Sequence, residues 1–85
     1  MQKPVNFESK LAQFSEHWQP KVVAEMNDYQ FKVVKIQGDF IWHAHPETDE
    51  TIVVLARTLE IAFRDRIVEV QAGEMFVVPR GIEHK

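Results

Sequence analysis

The most informative segment of this 85-residue chain is GDFIWHAHPETDE, residues 38–50. In an extended segment successive side chains point to opposite faces, so His43 and His45 share one face. Two imidazoles on one face, two residues apart, can bind the same metal ion. Glu50 follows after a short polar loop, at the start of the next predicted strand. Its carboxylate can reach that ion too.

A second stretch, GEMFVVPRGIEHK at residues 73–85, supplies the candidate for a fourth ligand. A predicted strand is followed by a Pro-x-Gly turn at residues 79–81, and His84 comes just after it. Such a turn redirects the chain, so the side chain of His84 can point back across the sheet. The other remaining histidine, His17, lies at the predicted end of a helix and lacks this geometry. His84 is the better candidate.

Other polar and aromatic residues near these stretches have a plainer interpretation. Glu47 and Asp49 are rival carboxylates, but a solvated acidic loop is favoured for both. Trp42 and Phe40 are expected to pack on the outer face rather than to stack on a ligand.

Several side chains remain open in their roles. Met75 and Phe76 belong either to the core or to a cavity wall. The arginines are expected to be surface charges, with contact to an anionic substrate as the alternative; they are Arg57, Arg64, Arg66 and Arg80.

The rest of the chain reads as one short helix followed by closely spaced strands. Asn6 is a plausible N-cap for a helix over residues 7–16, and Pro20 prevents its extension. Alternating and β-branched patterns predict about seven strands, which favours an antiparallel sandwich or barrel over a βαβ fold. They cover residues 22–26, 31–36, 40–45, 51–54, 58–64, 67–70 and 75–78.

Composition excludes several classes of protein. The net charge is −3, the pI is about 5.7 and no basic run occurs, so nucleic acid is not an expected partner. The absence of cysteine excludes disulfides and thiolate metal sites. No apolar run approaches the roughly 20 residues of a membrane span, and the first ten residues contain no secretory signal. We therefore expect a single domain over residues 1–85, located in the cytoplasm.

In these two stretches the sequence resembles the cupin superfamily. Gly38, His43, His45 and Glu50 match the glycine, the H-x-H pair and the glutamate of the first cupin motif. The second motif, G-x5-P-x-G-x2-H, is matched by Gly73, Pro79, Gly81 and His84. The amino-acid sequence of both stretches looks most like that of small single-domain cupins described as mannose-6-phosphate isomerase-like.

The resemblance implies an all-β fold, the cupin double-stranded β-helix, a jelly-roll-like barrel that here carries one short N-terminal helix. It also implies that the metal lies inside the barrel and is bound by His43, His45, Glu50 and His84. Three imidazoles and one carboxylate suit a divalent Fe, Mn, Ni, Zn or Co ion. No further cofactor is expected.

The chain departs from the family pattern at three places. Arg57 stands where the first motif has a glycine, so that connection must turn without glycine's freedom. Asp65-Arg66 replaces an easy Asp-Gly hairpin turn. The chain ends one residue after His84, whereas the family continues with strands that close the barrel, so the sequence is expected to be truncated.

The function expected from this resemblance is that of a metal-dependent enzyme acting on a small sugar-like or oxygenated substrate, of the isomerase or dioxygenase type. A non-catalytic binding or sensing barrel is the alternative, and a degenerate structural cupin is a third. No catalytic acid or base is identified, although Glu47, Asp49 and Glu83 are candidates. Because a short chain has a small core and open sheet edges attract partners, a homodimer is also expected.

Overall fold

The structure, a computed structural model, describes residues 3–85 and contains one helix and six strands. These divide into two compact units, the first ending at Gly38 and the second running from Asp39 to Lys85. The elements in chain order are α1 Phe7–Leu11, β1 Lys21–Met26, β2 Tyr29–Val33, β3 Glu50–Val53, β4 Thr58–Ala62, β5 Ile67–Gln71 and β6 Met75–Val78. None of the helical structure in the described part of the chain is long or apolar enough to cross a bilayer.

In the first unit, helix α1 begins where the sequence predicts and ends earlier. Asn6 caps it, since its side-chain oxygen accepts a hydrogen bond from the Ser9 amide at 2.9 Å. The predicted end at residue 16 is wrong, because α1 ends at Leu11 and none of its residues is buried. A short helix without a packed face gains too little to extend. Phe14, predicted to continue the apolar stripe, instead lies beside the ammonium groups of Lys21 and Lys35.

Strands β1 and β2 form an antiparallel hairpin in the same unit. Met26 pairs with Tyr29 across the predicted Asn27-Asp28 turn. Asn27 adopts a left-handed φ of 56°, which asparagine tolerates better than most residues. The turn expected from the sequence is therefore present.

In the second unit, two antiparallel pairs, β3 with β6 and β4 with β5, carry the core. Their inward faces meet in a cluster of buried side chains: Val54, Ile61, Phe63, Val70 and Val78. Phe76 packs against this cluster, whereas Met75 is exposed, so of the two residues left open by the sequence only Phe76 faces the core. On the outward face of β4 and β5, Glu60 lies directly opposite Glu69.

The strand predicted over residues 40–45 does not form. Only His43 is bridged there, to His84, and no other part of the segment belongs to a ladder. A strand needs hydrogen-bonding neighbours along its length, and Pro46 cannot donate one. Six strands therefore replace the predicted seven.

Arg57 turns the chain between β3 and β4 in the left-handed region, with φ 66°. This is the position where the first cupin motif has a glycine. The Arg57 carbonyl accepts a hydrogen bond from the Ala72 amide at 2.9 Å, which keeps the turn in place. The expectation that this connection turns without glycine is confirmed, and the cost is backbone strain.

Replacing Arg57 with glycine should stabilise the protein. Glycine relieves the clash that a side chain makes in the left-handed region, but it also gives the unfolded chain more conformational freedom. The net effect should raise the free energy of unfolding by about 0.5–1 kcal/mol. Denaturant unfolding measures this. Asp65→Gly is the matched control, because Asp65 is an exposed turn residue outside the left-handed region and should gain nothing. Equal or lower stability of Arg57→Gly would contradict the strain argument.

Candidate metal centre

The site is built around a backbone bridge between His43 and His84. The His43 amide donates to the His84 carbonyl at 3.0 Å, and the His84 amide donates back at 2.9 Å. This exchange places the two imidazole rings with their centroids 4.2 Å apart. Two histidines far apart in sequence are thus brought side by side by main-chain hydrogen bonds.

His84 is the most enclosed residue of the site, with 3% of its surface exposed. On its other side Ala62 and Lys85 exchange a second pair of backbone hydrogen bonds, which brings Phe63 beside it. The Phe63 ring lies 6.2 Å from the His84 ring between centroids. Because Phe63 belongs to the core cluster, the core forms one wall of the site.

His45 is positioned by the turn that precedes His84. The amide of Gly81 donates to the His45 carbonyl at 2.8 Å, which ties the first motif to the second. Gly81 has a φ of 77°, so glycine is the residue that fits this turn without strain. The His45 ring centroid lies 5.4 Å from that of His43 and 6.0 Å from that of His84.

Two of the three histidines have the same fixed orientation. Nδ1 of His43 lies 3.0 Å from the Ile41 carbonyl, and Nδ1 of His84 lies 3.0 Å from the Ile82 carbonyl. A carbonyl oxygen only accepts, so each Nδ1 carries the proton and donates it. Each Nε2 is then left with a free lone pair, which is the form that binds a metal.

Glu50 completes the cluster from the start of β3. It pairs across the sheet with Val78, so its side chain lies on the core-facing side together with Ile52. Its Oε2 lies 2.8 Å from His45 Nε2, and its Oε1 lies 3.6 Å from His84 Nε2. The strand register alone therefore delivers the carboxylate to two of the imidazoles.

These close contacts are not hydrogen bonds. The Nε2 atoms of His45 and His84 are buried and have no hydrogen-bond partner among the described residues, because even the 2.8 Å approach to Glu50 lacks hydrogen-bond alignment. The lone pair on His84 Nε2 is repelled by the facing carboxylate, and each buried polar atom without a partner is costly. A cation between these groups would relieve both penalties.

The three imidazoles also lie close to the spacing that one ion requires. One nitrogen from each of the three imidazoles lies within 4.8 Å of the others. Nitrogen ligands of one zinc-like ion lie at about 2.1 Å from it, so two of them are at most roughly 4.2 Å apart. A small inward movement would suffice. Nitrogen and oxygen donors without sulfur suit divalent first-row metals.

The rival residues lie elsewhere. Asp49 accepts a hydrogen bond from the Arg80 amide at 2.8 Å and lies 3.8 Å from the Arg80 side chain, so it secures the Pro-x-Gly turn. Sequence reasoning missed this role, and the only available signal was the polar loop itself. Glu47 is exposed, and His17 is exposed in the first unit.

A cleft of about 460 Å³ opens beside the cluster within the second unit. None of the four candidate ligands lines it, although Phe63 forms a wall of the cleft and also contacts His84. Arg64 and Arg66 lie at its rim. Arg64 is paired with Glu83 at 3.0 Å, and the Arg66 guanidinium lies over the Phe63 ring.

Known proteins share both the sequence pattern and the fold. The Cupin_2 family, described as "Cupin domain", matches residues 31–85. The crystal structure of a cupin-2 domain containing protein from Shewanella frigidimarina NCIMB 400 superposes with a TM-score of 0.93 and 56% identity, covering 94% of this chain and 78% of that one. Protein NMB1881 from Neisseria meningitidis has a TM-score of 0.87 and 31% identity, covering 96% and 84%.

A third relative is the uncharacterized protein YdbB of Bacillus subtilis (strain 168), which is 33% identical over 64 residues. The match covers 74% of this chain and 57% of YdbB, so the chain spans little more than half of that relative's length. The two motifs, the strand pairing and these likenesses agree, and the chain belongs to the cupin superfamily.

Proposed function

We propose that the second unit binds one divalent transition-metal ion through His43, His45, Glu50 and His84, and that the ion serves an enzyme acting on a small oxygenated substrate. The observation that carries the proposal is the buried Nε2 of His84, which has no hydrogen-bond partner and lies 3.6 Å from the Glu50 carboxylate. A buried lone pair facing an anion is unfavourable, and a positive charge between them would stabilise both groups.

When bound, such an ion supplies Lewis-acid polarisation of an oxygen-containing substrate, and iron would add redox chemistry. The chain's own groups orient the ligand side chains and enclose the site. The Ile41 and Ile82 carbonyls hold the rings of His43 and His84, and Phe63 keeps water away from one side of His84. The adjoining cleft is within the usual size range of small-molecule sites, roughly 300–1,000 Å³.

A sugar-like substrate of the isomerase type, or one oxidised by dioxygen, is the finer form of this proposal and rests on the resemblance to mannose-6-phosphate isomerase-like cupins. A non-catalytic binding or sensing barrel is the second candidate. The ion pairs of two candidate acids support this alternative, because Asp49 is paired with Arg80 and Glu83 is paired with Arg64. Measuring turnover distinguishes the two functions. Metal-loaded protein is incubated with sugar phosphates and followed by NMR, and oxygen consumption is measured in parallel.

Purified protein reconstituted with Fe, Mn, Ni, Zn or Co should hold close to one ion per chain. Because the ion binds the folded state, added metal should raise the Tm, by an amount that grows with RT ln(1 + [L]/Kd). Elemental analysis and thermal unfolding measure the two effects. The double variant His43→Ala/His45→Ala should lose both. Full metal content in that variant would show that these residues do not form the metal site.

The carboxylate ligand is tested separately. Glu50→Gln should weaken metal affinity by about 10-fold or more, because the neutral amide no longer offsets the ion's charge beside His45 and His84. Glu47→Gln is the matched control on the exposed loop and should leave affinity unchanged. Isothermal titration of chelator-treated protein gives both values, and the reverse ranking would assign the ligand to the loop.

We also propose that the chain forms a homodimer in the cytoplasm. Large apolar side chains among the described residues are exposed more often than buried, and such surface favours association. Sedimentation velocity at micromolar concentration should show a dimer, since two-fold dimers are the commonest assemblies of such chains. A single monomeric species over the whole concentration range would contradict this.

A further inference from the structure

The three chain segments that meet at His84 present different side chains on their two faces. Adjacent residues of bridged segments point to opposite sides. His43, Phe63 and His84 meet on the metal-facing side. Their chain neighbours Trp42, Arg64 and Lys85 meet on the far side.

On that far side the Trp42 indole contacts two cations. The Arg64 guanidinium carbon is 3.9 Å from the Trp42 ring centroid, and the Lys85 ammonium is 5.3 Å from it. Glu83 holds Arg64 with a 3.0 Å ion pair. Cations over an indole face are attracted by its π electrons, so Trp42 joins two neighbouring segments to its own.

The main chain of Trp42 is less restrained than that of His43. Residues 40–45 form no strand, and their main-chain hydrogen bonds to other segments are the exchange between His43 and His84 and the bond from the Gly81 amide to the His45 carbonyl. The residue before His43 is therefore kept in place by its side chain. Movement of Trp42 would turn the adjoining peptide and carry the His43 imidazole out of line with His84.

We infer that Trp42 is a positioning residue of the metal centre, which sets metal affinity by fixing His43 relative to His84 from the far face of the bridge. The inference rests on the proposed metal site. It assigns to Trp42 a role beyond outer-face packing, because metal affinity depends on the groups that orient the ligands as well as on the ligands themselves.

The test uses Co²⁺ as the probe in a Trp18→Phe background, in which Trp42 is the only tryptophan. Trp42→Ala should weaken Co²⁺ affinity by about 10-fold, a typical effect for an orienting group. Trp42→Phe, which retains an aromatic face for Arg64, should restore most of it. Ile67→Ala is the matched control, because the Ile67 side chain is 64% exposed on β5 of the same unit; it should bind like the parent.

Two further readouts separate positioning from a general loss of stability. The d–d absorption bands of bound Co²⁺ should shift in Trp42→Ala and return in Trp42→Phe, since they report ligand geometry. Denaturant unfolding of the metal-free variants gives the stability change by itself. A Trp42→Ala protein that is less stable yet binds Co²⁺ with parental affinity and parental bands would overturn the inference.

A second variant covers the case in which Trp42→Ala does not fold. Arg64→Gln/Lys85→Gln leaves the indole in place but removes both cations, and it should also weaken Co²⁺ binding. Parental affinity there would overturn the inference while leaving the metal site intact. If the Trp18→Phe parent itself binds no Co²⁺, the metal site and the inference fall together, so the two failures are distinguishable.

Discussion

The exchange of backbone hydrogen bonds between His43 and His84 is the contact on which the rest of the second unit depends. It brings the last described residues of the chain against the first motif and, through Ala62 and Lys85, against the end of β4. The exchange between Ala62 and Lys85 places His84 beside Phe63, and the exchange with His43 places it beside the other imidazoles. The core and the candidate metal centre therefore share one structural element instead of occupying separate parts of the fold.

The electrostatics of the cluster follow from this sharing. A core wall makes the environment of His84 apolar, which raises the cost of leaving its Nε2 unpaired. The same burial strengthens any favourable interaction made there, because charges attract more strongly away from water. Glu50 brings the negative charge, and the Ile41 and Ile82 carbonyls fix which ring nitrogens face it. Stability and chemistry are coupled at this point: the polar groups that weaken the core are those that can hold an ion.

Sequence reasoning succeeded where a residue's surroundings are set by its near neighbours. Glu50 was expected at the start of a strand, and Arg57 was expected to turn without glycine, because spacing to nearby residues determines both. It failed where distant partners decide. The segment 40–45 has a strand-like pattern but lacks a neighbour along most of its length, and the helix ends at Leu11 because none of its residues is buried. The hydrogen bond from Arg80 to Asp49 joins residues that only the folded chain brings together.

The bridge between His43 and His84 also closes a loop of about forty residues within a chain that has no cysteine. A link between two such positions removes conformations from the unfolded chain, and by the chain-entropy relation a loop of that size corresponds to about 4 kcal/mol at 25 °C. An ion bound to both imidazoles of the folded chain would stabilise the same closure by a different route from such a permanent link, because it leaves when the chain unfolds and so adds its binding free energy to the folded state alone. Because residues so far apart meet only after the intervening strands have paired, this closure would form late in folding and would slow unfolding more than it speeds folding.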